Sequence, residues 1–316
     1  MSRYRHQPLD LGALRTVPLT TRGGKVTVSD FARPHRAGES WIDSLPRLLA
    51  ADSLRAVVTA MREARRRERM ILWGLGGHVV KCGLAPVLTD LMARGYATAF
   101  AMNGAAAIHD FEIALAGHTS EDVESVLPDG SFGAAEETGR LMNEAFSAAS
   151  REGIGAGEAV ARRAAESEFA SASLLACSFG AGVPVTVHVA IGTDTPHMHP
   201  AADPAAIGAA THHDFRLFCE LVRRLHDGGV YLNVGSAVML PEVFLKAVSA
   251  VRNLGHQLEN FTTVNLDFLQ HYRPRVNVVE RPHSGAGGRG YAITGHHEIM
   301  IPLLAALLSG DGVGPA

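Results

Sequence analysis

A histidine and two acids lie close together in the stretch MNGAAAIHDFEIAL (102–115), directly after an apolar run. When the stretch is wound as a helix at about 100° per residue, Glu112 flanks the apolar stripe, His109 lies one step further round, and Asp110 points away. The helix dipole favours an acid in a first turn, and this ordinary explanation suffices for Asp110. An unpaired carboxylate beside a buried stripe is costly. We therefore predict that at least two of these three side chains line a site.

The stretch GLGGHVVKCG (74–83) resembles a turn that cradles a phosphate group. Gly76 and Gly77 would let backbone N–H groups approach an anion, and a helix N-terminus follows the turn. A valine stands where the dinucleotide fingerprint has its third glycine, so a plain tight turn remains the alternative. Lys81, one of three lysines in the chain, favours a functional interpretation, because the helix dipole disfavours a cation at a helix start.

A second glycine-rich segment, GAGGRG (285–290), fits the pattern GxGxxG literally. It is followed by YAITGHHE, where a dinucleotide-binding motif needs a helix. We therefore predict that it is a loop near a site, together with the PHSG sequence that leads into it.

Two closely spaced histidines, His197 and His199, follow a strong apolar strand in GTDTPHMHPAADP (192–204). They could hold a metal ion if an acid or histidine from another strand end completed the ligand set. The nearby THHD (211–214) is predicted to cap a helix start. A metal-dependent hydrolase or lyase, with metal-bound water as the nucleophile, is therefore an alternative function.

The elements that must position these residues alternate between strands and helices, and parallel strands need crossover helices. We predict an α/β fold, a doubly wound and mainly parallel sheet with helices on both faces, formed by residues 46–316 as one domain after an N-terminal arm (1–45). Ligands of such sheets bind beyond the carboxyl ends of the strands, so we expect the polar clusters to share one crevice. The predicted strands are MILWGL (70–75), ATAFAM (97–102), VPVTVHVAI (183–191), GVYLNVG (229–235), FTTVNLDF (261–268) and RVNVVE (275–280).

Composition narrows the class of protein. The 316 residues are 47% hydrophobic and carry a net charge of −3, which allows a sizeable core and offers no general field for nucleic acid. The cysteines are widely spaced with no CxxC pair, which favours a reducing compartment and predicts a cytoplasmic protein. The apolar run IMIPLLAALL is too short to cross a bilayer, so no membrane partner is expected.

The order of elements resembles that of the deoxyhypusine synthase family from about residue 70 to the C-terminus. GLGGHVVKCGLAPVLTDLMARG resembles that family's glycine-then-polar turn with its helix, and FAMNGAAAIHDFEIAL resembles its second strand and acid-rich helix start. VPVTVHVAIGTDTPHMH resembles its strand ending in Thr-Asp, here Thr193 and Asp194. SGAGG and the closing apolar helix resemble its final region.

The resemblance implies a Rossmann-like fold, a homotetramer and an NAD cofactor. The family transfers the aminobutyl group of spermidine through an imine on a lysine that precedes the last helix. This chain has no lysine after Lys246, so we do not expect it to make deoxyhypusine, since only an amine forms that imine. The residues that the resemblance assigns to NAD are Gly76, Gly77, His78, Asn103, Gly104, Ser284, Gly285 and Gly287.

We therefore expect a deoxyhypusine synthase-like enzyme that acts on a small cationic amine or amino acid. Asp110, Glu112 and Asp194 would supply negative charge for the amine, because carboxylates and a nearby cation stabilise each other. His109 or His283 would shuttle protons, since the ordinary pKa of histidine suits it to neutral pH. A non-catalytic protein that binds a nucleotide or polyamine is the remaining alternative.

Overall fold

The computed structural model describes residues 3–309. From residue 3 to residue 40 almost every side chain is exposed, and the backbone forms only short 3-10 turns. Burial begins at Ile42 and Ser44. The division into an arm and one domain stays a prediction.

The six strands of the described chain form one sheet in the order β3-β2-β1-β4-β5-β6, and every neighbouring pair is parallel. The order reverses between β1 and β4, as it does in Rossmann folds. This confirms the predicted doubly wound α/β fold. The strands are Ile71–Leu75 (β1), Ala99–Asn103 (β2), Val185–His188 (β3), Val230–Val234 (β4), Thr262–Asp267 (β5) and Arg289–Thr294 (β6).

Helices cover both faces of the sheet and bury two apolar cores. Trp73 and Phe100 point into one core, whereas Leu72 and Tyr231 point into the other. Every residue of β1 is buried, as a continuous apolar run predicts for a covered parallel strand. The α-helices are Trp41–Ser44 (α1), Leu49–Arg66 (α2), Gly77–Lys81 (α3), Ala85–Ala93 (α4), Gly104–Ala116 (α5), Val123–Val126 (α6), Glu136–Glu152 (α7), Ala156–Ala165 (α8), Leu174–Gly180 (α9), Pro204–Arg223 (α10), Met239–Asn253 (α11), Tyr272–Pro274 (α12) and His297–Leu308 (α13). Within residues 3–309, none of the helices combines the length and apolar composition that crossing a membrane requires.

Two sequence predictions of local structure were wrong. RVNVVE is a π-helical turn (Arg275–Glu280), and the last strand is β6, at Arg289–Thr294. The β-branched residues of RVNVVE favour a strand locally, but the chain must cross from the end of β5 back to the start of β6, and this segment forms part of that crossover. The THHD sequence lies inside α10, which starts at Pro204 and is capped by Asp203, so it does not begin a helix.

The carboxyl ends of β1 and β4 approach each other through two glycines. Gly76 donates its N–H to the carbonyl of Val234 at 2.9 Å, and a Cβ on Gly76 would overlap the carbonyl oxygen of Gly235. Gly235 itself has a φ of +69°, a conformation that favours glycine. The backbones after β1 and β4 therefore pack directly against each other at the switch point of the sheet.

Candidate functional site

A cavity of about 200 Å³ lies between α5, the loop after β3, the end of α3 and the segment 120–132. Three predicted site residues, His109, Glu112 and Asp194, line it together, although they come from distant parts of the chain. The volume is below that of pockets for drug-sized ligands, so the cavity suits a small molecule. Its charged and hydrogen-bonding side chains include Lys81, His109, Glu112, Glu121, Thr193 and Asp194.

Helix α5 sets the positions of His109 and Glu112. The side chain of Asn103 caps the helix by accepting a hydrogen bond from the Ala106 N–H at 2.9 Å, and the helix ends at Gly117, whose φ is +73°. The two side chains lie three residues apart, and the distance from His109 Nδ1 to Glu112 Oε2 is 3.7 Å. Both are less than one-fifth exposed, so they face the cavity rather than open solvent.

Thr119 connects His109 to Glu112. Its hydroxyl donates to a carboxylate oxygen of Glu112 and lies 2.7 Å from His109 Nδ1. A carboxylate only accepts, so the hydroxyl has a lone pair left for Nδ1–H of His109. Neutral His109 therefore carries its lone pair on Nε2, ready to accept a proton.

The pKa of Glu112 is held below its ordinary value. Burial raises this pKa, but the nearby His109 ring and hydrogen bonds from the hydroxyls of Thr119 and Thr138 outweigh the burial. The carboxylate of Glu112 is thus ionised at neutral pH and can stabilise a positive charge on His109.

Asp194 belongs to the loop after β3, and its carboxylate lies against Gly104 in the first turn of α5. Its carboxylate accepts the N–H of Ala190 at 3.0 Å and a weaker bond from the Thr193 hydroxyl at 3.3 Å. Burial raises the pKa of Asp194, partly offset by the Ala190 bond and by the charge of His197. A cation bound beside Asp194 would lower that pKa again, because it stabilises the ionised form.

The carboxylate of Asp194 requires a glycine at position 104. A Cβ on Gly104 would overlap it, so we expect Gly104→Ala to lower the free energy of unfolding by about 1–3 kcal/mol, as overpacking does elsewhere. Chemical denaturation measures this change. Gly208→Ala is the matched control, because Gly208 is helical with open space around it, and alanine there should stabilise by about 0.5–1 kcal/mol. In a protein that already carries Asp194→Ala, Gly104→Ala should no longer lower the free energy of unfolding. An unchanged loss of stability would contradict the contact between Gly104 and Asp194.

The charges around the cavity are predominantly negative. Glu112, Glu121 and Asp194 contribute carboxylates, and Lys81 contributes an ammonium group. Glu121 is held in place by the backbone N–H of Gly133 at 3.1 Å. Carboxylates around a small, partly enclosed space favour a cation.

Asp110 has a different environment from the one predicted. It is completely buried and accepts hydrogen bonds from the Ser173 hydroxyl at 2.5 Å and from the N–H groups of Leu174 and Leu175 at 2.9 and 2.8 Å. It therefore caps the start of α9 and does not line the cavity. The outward orientation inferred from the helical wheel was wrong, because α9 packs over this side of α5.

His283 and the glycine loop after it lie at the opposite edge of the sheet. His283 Nε2 is 2.8 Å from the Thr263 hydroxyl near the start of β5, and Gly287 lies against Asn260. A loop that precedes a parallel strand lies at the amino edge, and this loop precedes β6. The structure therefore does not bring His283, Ser284, Gly285 and Gly287 together with Asp194.

The paired histidines do not assemble a ligand set. His199 Nε2 lies 3.0 Å from Glu136, while both ring nitrogens of His197 are buried without a hydrogen-bond partner in the described chain. Among residues 3–309, no group of three or more His, Cys, Asp or Glu side chains could hold a metal ion. The metal-dependent alternative therefore lacks its predicted site.

The residues assigned to NAD do not form one cradle. The space beside Gly76 is filled by Gly235, that beside Gly104 by Asp194, and the amide of Asn103 is used to cap α5. Gly77 packs against Ala105 and His109, and His78 contacts His297. With the remaining three residues at the other edge, the set does not fit a dinucleotide, and NAD binding stays a prediction.

Sequence reasoning missed Thr119, Glu121 and Thr138. In GHTSED (117–122), Gly117 is a recognisable helix stop, but nothing local in the sequence identifies Glu112 as the partner of Thr119. One signal was available: a run of polar residues directly follows Gly117, the residue at which α5 ends. Such a run can fold back along the helix that precedes it. Thr138 left no signal, because its contact with Glu112 depends on how α7 packs.

The fold and the cavity define a class: a Rossmann-like α/β protein with a small cavity lined by acidic side chains at the carboxyl edge of its sheet. No protein-family model matches the sequence, and no curated protein sequence matches it.

Several solved structures share the fold. A conserved protein assigned as LOR/SDH from Methanococcus maripaludis S2 superposes with a TM-score of 0.53 at 16% identity, covering 87% of this chain and 73% of that one. Unliganded AgrE superposes with a TM-score of 0.53 at 17% identity over 84% of this chain, which spans only 34% of AgrE. A protein assigned as a deoxyhypusine synthase of Entamoeba histolytica gives 0.47 at 8% identity, covering 82% of this chain and 87% of that one. Identities this low show a common fold and no more, and the last score is too low to carry an argument.

Proposed function

We propose that this chain is an enzyme that binds a small cationic amine or amino acid in the acidic cavity and takes a proton from it with His109. The observation that carries the proposal is the arrangement of Glu112, Glu121 and Asp194 around one small space, together with a histidine whose Nε2 is free to accept.

Binding would rest on the carboxylates. An ammonium group beside Asp194 would form a charge-assisted hydrogen bond in a partly buried setting, where such bonds are strong. The same ammonium would be repelled by Lys81 and would therefore orient towards Asp194 and Glu121. A carboxylate on the ligand, as in an amino acid, would find its partner in Lys81.

Proton removal would rest on His109. Nε2 accepts a proton from the ammonium group, and the amine keeps the electron pair, which makes it a nucleophile. The imidazolium that forms keeps its Nδ1–H bond to Thr119, and the ionised Glu112 beyond Thr119 stabilises the new charge. Glu112 and Thr119 thus act as the orienting part of a base–orienter pair.

Three predictions from the sequence analysis, on activity, cofactor and oligomeric state, are also part of this proposal. They are a deoxyhypusine synthase-like activity without deoxyhypusine formation, NAD as a cofactor, and a homo-oligomer, with the tetramer implied by resemblance. No step of the proton transfer above depends on them. A protein that binds the amine but never turns it over would correspond to the non-catalytic alternative.

Calorimetric titration with putrescine, spermidine and L-ornithine tests the binding step. We expect Asp194→Asn to weaken the Kd of the ligand that binds by about tenfold or more, because the amide oxygen still accepts but the negative charge that strengthens the hydrogen bond is lost. Glu124→Gln is the matched control: it removes a carboxylate from exposed α6, outside the cavity, and should leave the Kd unchanged.

Equal affinity of the wild type and Asp194→Asn would remove the assignment of the cavity. Addition of NAD to the wild type in a thermal-shift assay, with amine consumption followed in parallel, separates cofactor binding and turnover from amine binding alone.

A further inference from the structure

A second cluster of ionisable side chains lies at the carboxyl ends of β1, β5 and β6. It consists of His78 and Cys82 at the two ends of α3, Asp267 at the end of β5, and His297 and Glu298 at the start of α13. His78 Nδ1 lies 2.9 Å from His297 Nδ1. The cavity described above takes Lys81 from the same short helix and its other walls from different elements, so the two groups of residues are separate.

The hydrogen bonds in the cluster fix where the protons lie. His297 is completely buried, and its Nε2 lies 3.3 Å from the carbonyl oxygen of Leu266 and 3.6 Å from a carboxylate oxygen of Asp267. Both oxygens accept, so Nε2 of His297 carries the hydrogen. Burial lowers the pKa of His297, although Asp267 opposes this, so the ring is neutral and its Nδ1 has the lone pair.

The tautomer of His78 follows from that of His297. Two lone pairs would repel at this distance, so Nδ1 of His78 must donate to Nδ1 of His297. The lone pair of neutral His78 is then on Nε2, and His78 is exposed, so a ligand can reach it. A buried acid–histidine pair thus holds an exposed histidine in one tautomer, which is the arrangement that orients catalytic bases.

The neighbouring groups leave His78 as the reactive member. The Cys82 thiol lies 3.5 and 3.7 Å from the two ring nitrogens of His78 and 3.7 Å from Glu298. Burial and the charge of Glu298 raise the pKa of Cys82, so this thiol stays protonated. The centre of the Phe268 ring lies 5.9 Å from that of the His78 ring, and Phe268 is 42% exposed, which provides an apolar surface beside His78.

We propose that His78 is a proton-transfer residue of a second site, with His297 and Asp267 as positioning residues. Its ligand is a small molecule with a hydroxyl or amine group that binds against Phe268. A proton passes from the O–H or N–H group to Nε2 of His78, and the ligand keeps the electron pair. The charge that forms on His78 is stabilised by Nδ1 of His297 and, through that ring, by Asp267. This site is independent of the function proposed for the cavity.

Nitrogen-15 NMR of the full chain tests the tautomer directly. We expect neutral His78 to be protonated on Nδ1 in the wild type, and a population protonated mainly on Nε2 would overturn the proposal. Because this measurement needs no variant, it does not depend on whether a substituted chain folds.

Diethyl pyrocarbonate is the chemical probe of Nε2, read by mass spectrometry. His78 should react faster than His296, whose side chain is 65% exposed and serves as the internal reference. His297→Leu should abolish this excess, whereas His297→Asn should keep it, because an amide oxygen replaces the accepting Nδ1. An excess that survives His297→Leu in a folded protein would overturn the positioning role. A metal ion that is bound stoichiometrically by the wild type and absent from His78→Gln would overturn the proton-transfer role.

Discussion

Replacing Asp110 by alanine is expected to lower the free energy of unfolding by about 3 kcal/mol or more, which would be among the largest effects of a single substitution. The carboxylate is completely buried and accepts three hydrogen bonds at the start of α9. Alanine leaves the Ser173 hydroxyl and two backbone N–H groups without their acceptor in a place that water does not reach. The unfolding midpoint in denaturant measures the loss.

Two further variants separate this role from a general effect of losing an aspartate. Asp110→Asn keeps one accepting oxygen and should have an intermediate effect. Asp90→Ala removes a helical aspartate that is 60% exposed and paired with Arg94, so it should cost less than about 1 kcal/mol. An Asp110→Ala protein as stable as the Asp90→Ala protein would show that α9 does not depend on this cap.

The pH dependence of stability is expected to change strongly when Asp214 is replaced by asparagine. Asp214 accepts the N–H groups of Gly157 and Val187, both at 2.7 Å, and so ties the start of α8 to β3. Burial raises its pKa from 3.8 to about 7, although these two bonds oppose the shift. The folded chain therefore binds this proton more tightly than the unfolded chain does.

The sign of the effect follows from that difference. Stability from this group is complete below about pH 4 and decreases as the pH rises towards 7, by at most about 1.4 kcal/mol per pH unit. Asp214→Asn removes that slope, while every other group, including Asp110 with its raised pKa, contributes equally to both proteins. Denaturant unfolding at pH 4, 5, 6 and 7 measures the difference, and parallel curves for the two proteins would contradict the raised pKa.

The candidate site was predictable in part. Helical periodicity points to His109 and Glu112, and the family resemblance points to Asp194. The strand-end rule predicts that such polar clusters meet at one edge of the sheet, and the cavity contains all three residues. The partner that orients His109 was not predictable, because Thr119 reaches it only after the chain turns back at Gly117. The edge predicted for His283 was wrong, because RVNVVE (275–280) is not a strand. The loop after it precedes β6 and therefore lies at the amino edge of the sheet.

The sequence by itself determined the alternation of strands and helices, because apolar runs and helical periodicity are local patterns, and it therefore determined the doubly wound class. It could not decide which polar residues are structural. Asp110 and Glu112 are two positions apart on one helix, yet one caps α9 and the other faces the cavity. Only the packing of α9 and of the loop after β3 against that helix makes the distinction, since burial and hydrogen bonding depend on neighbours that are distant in the chain.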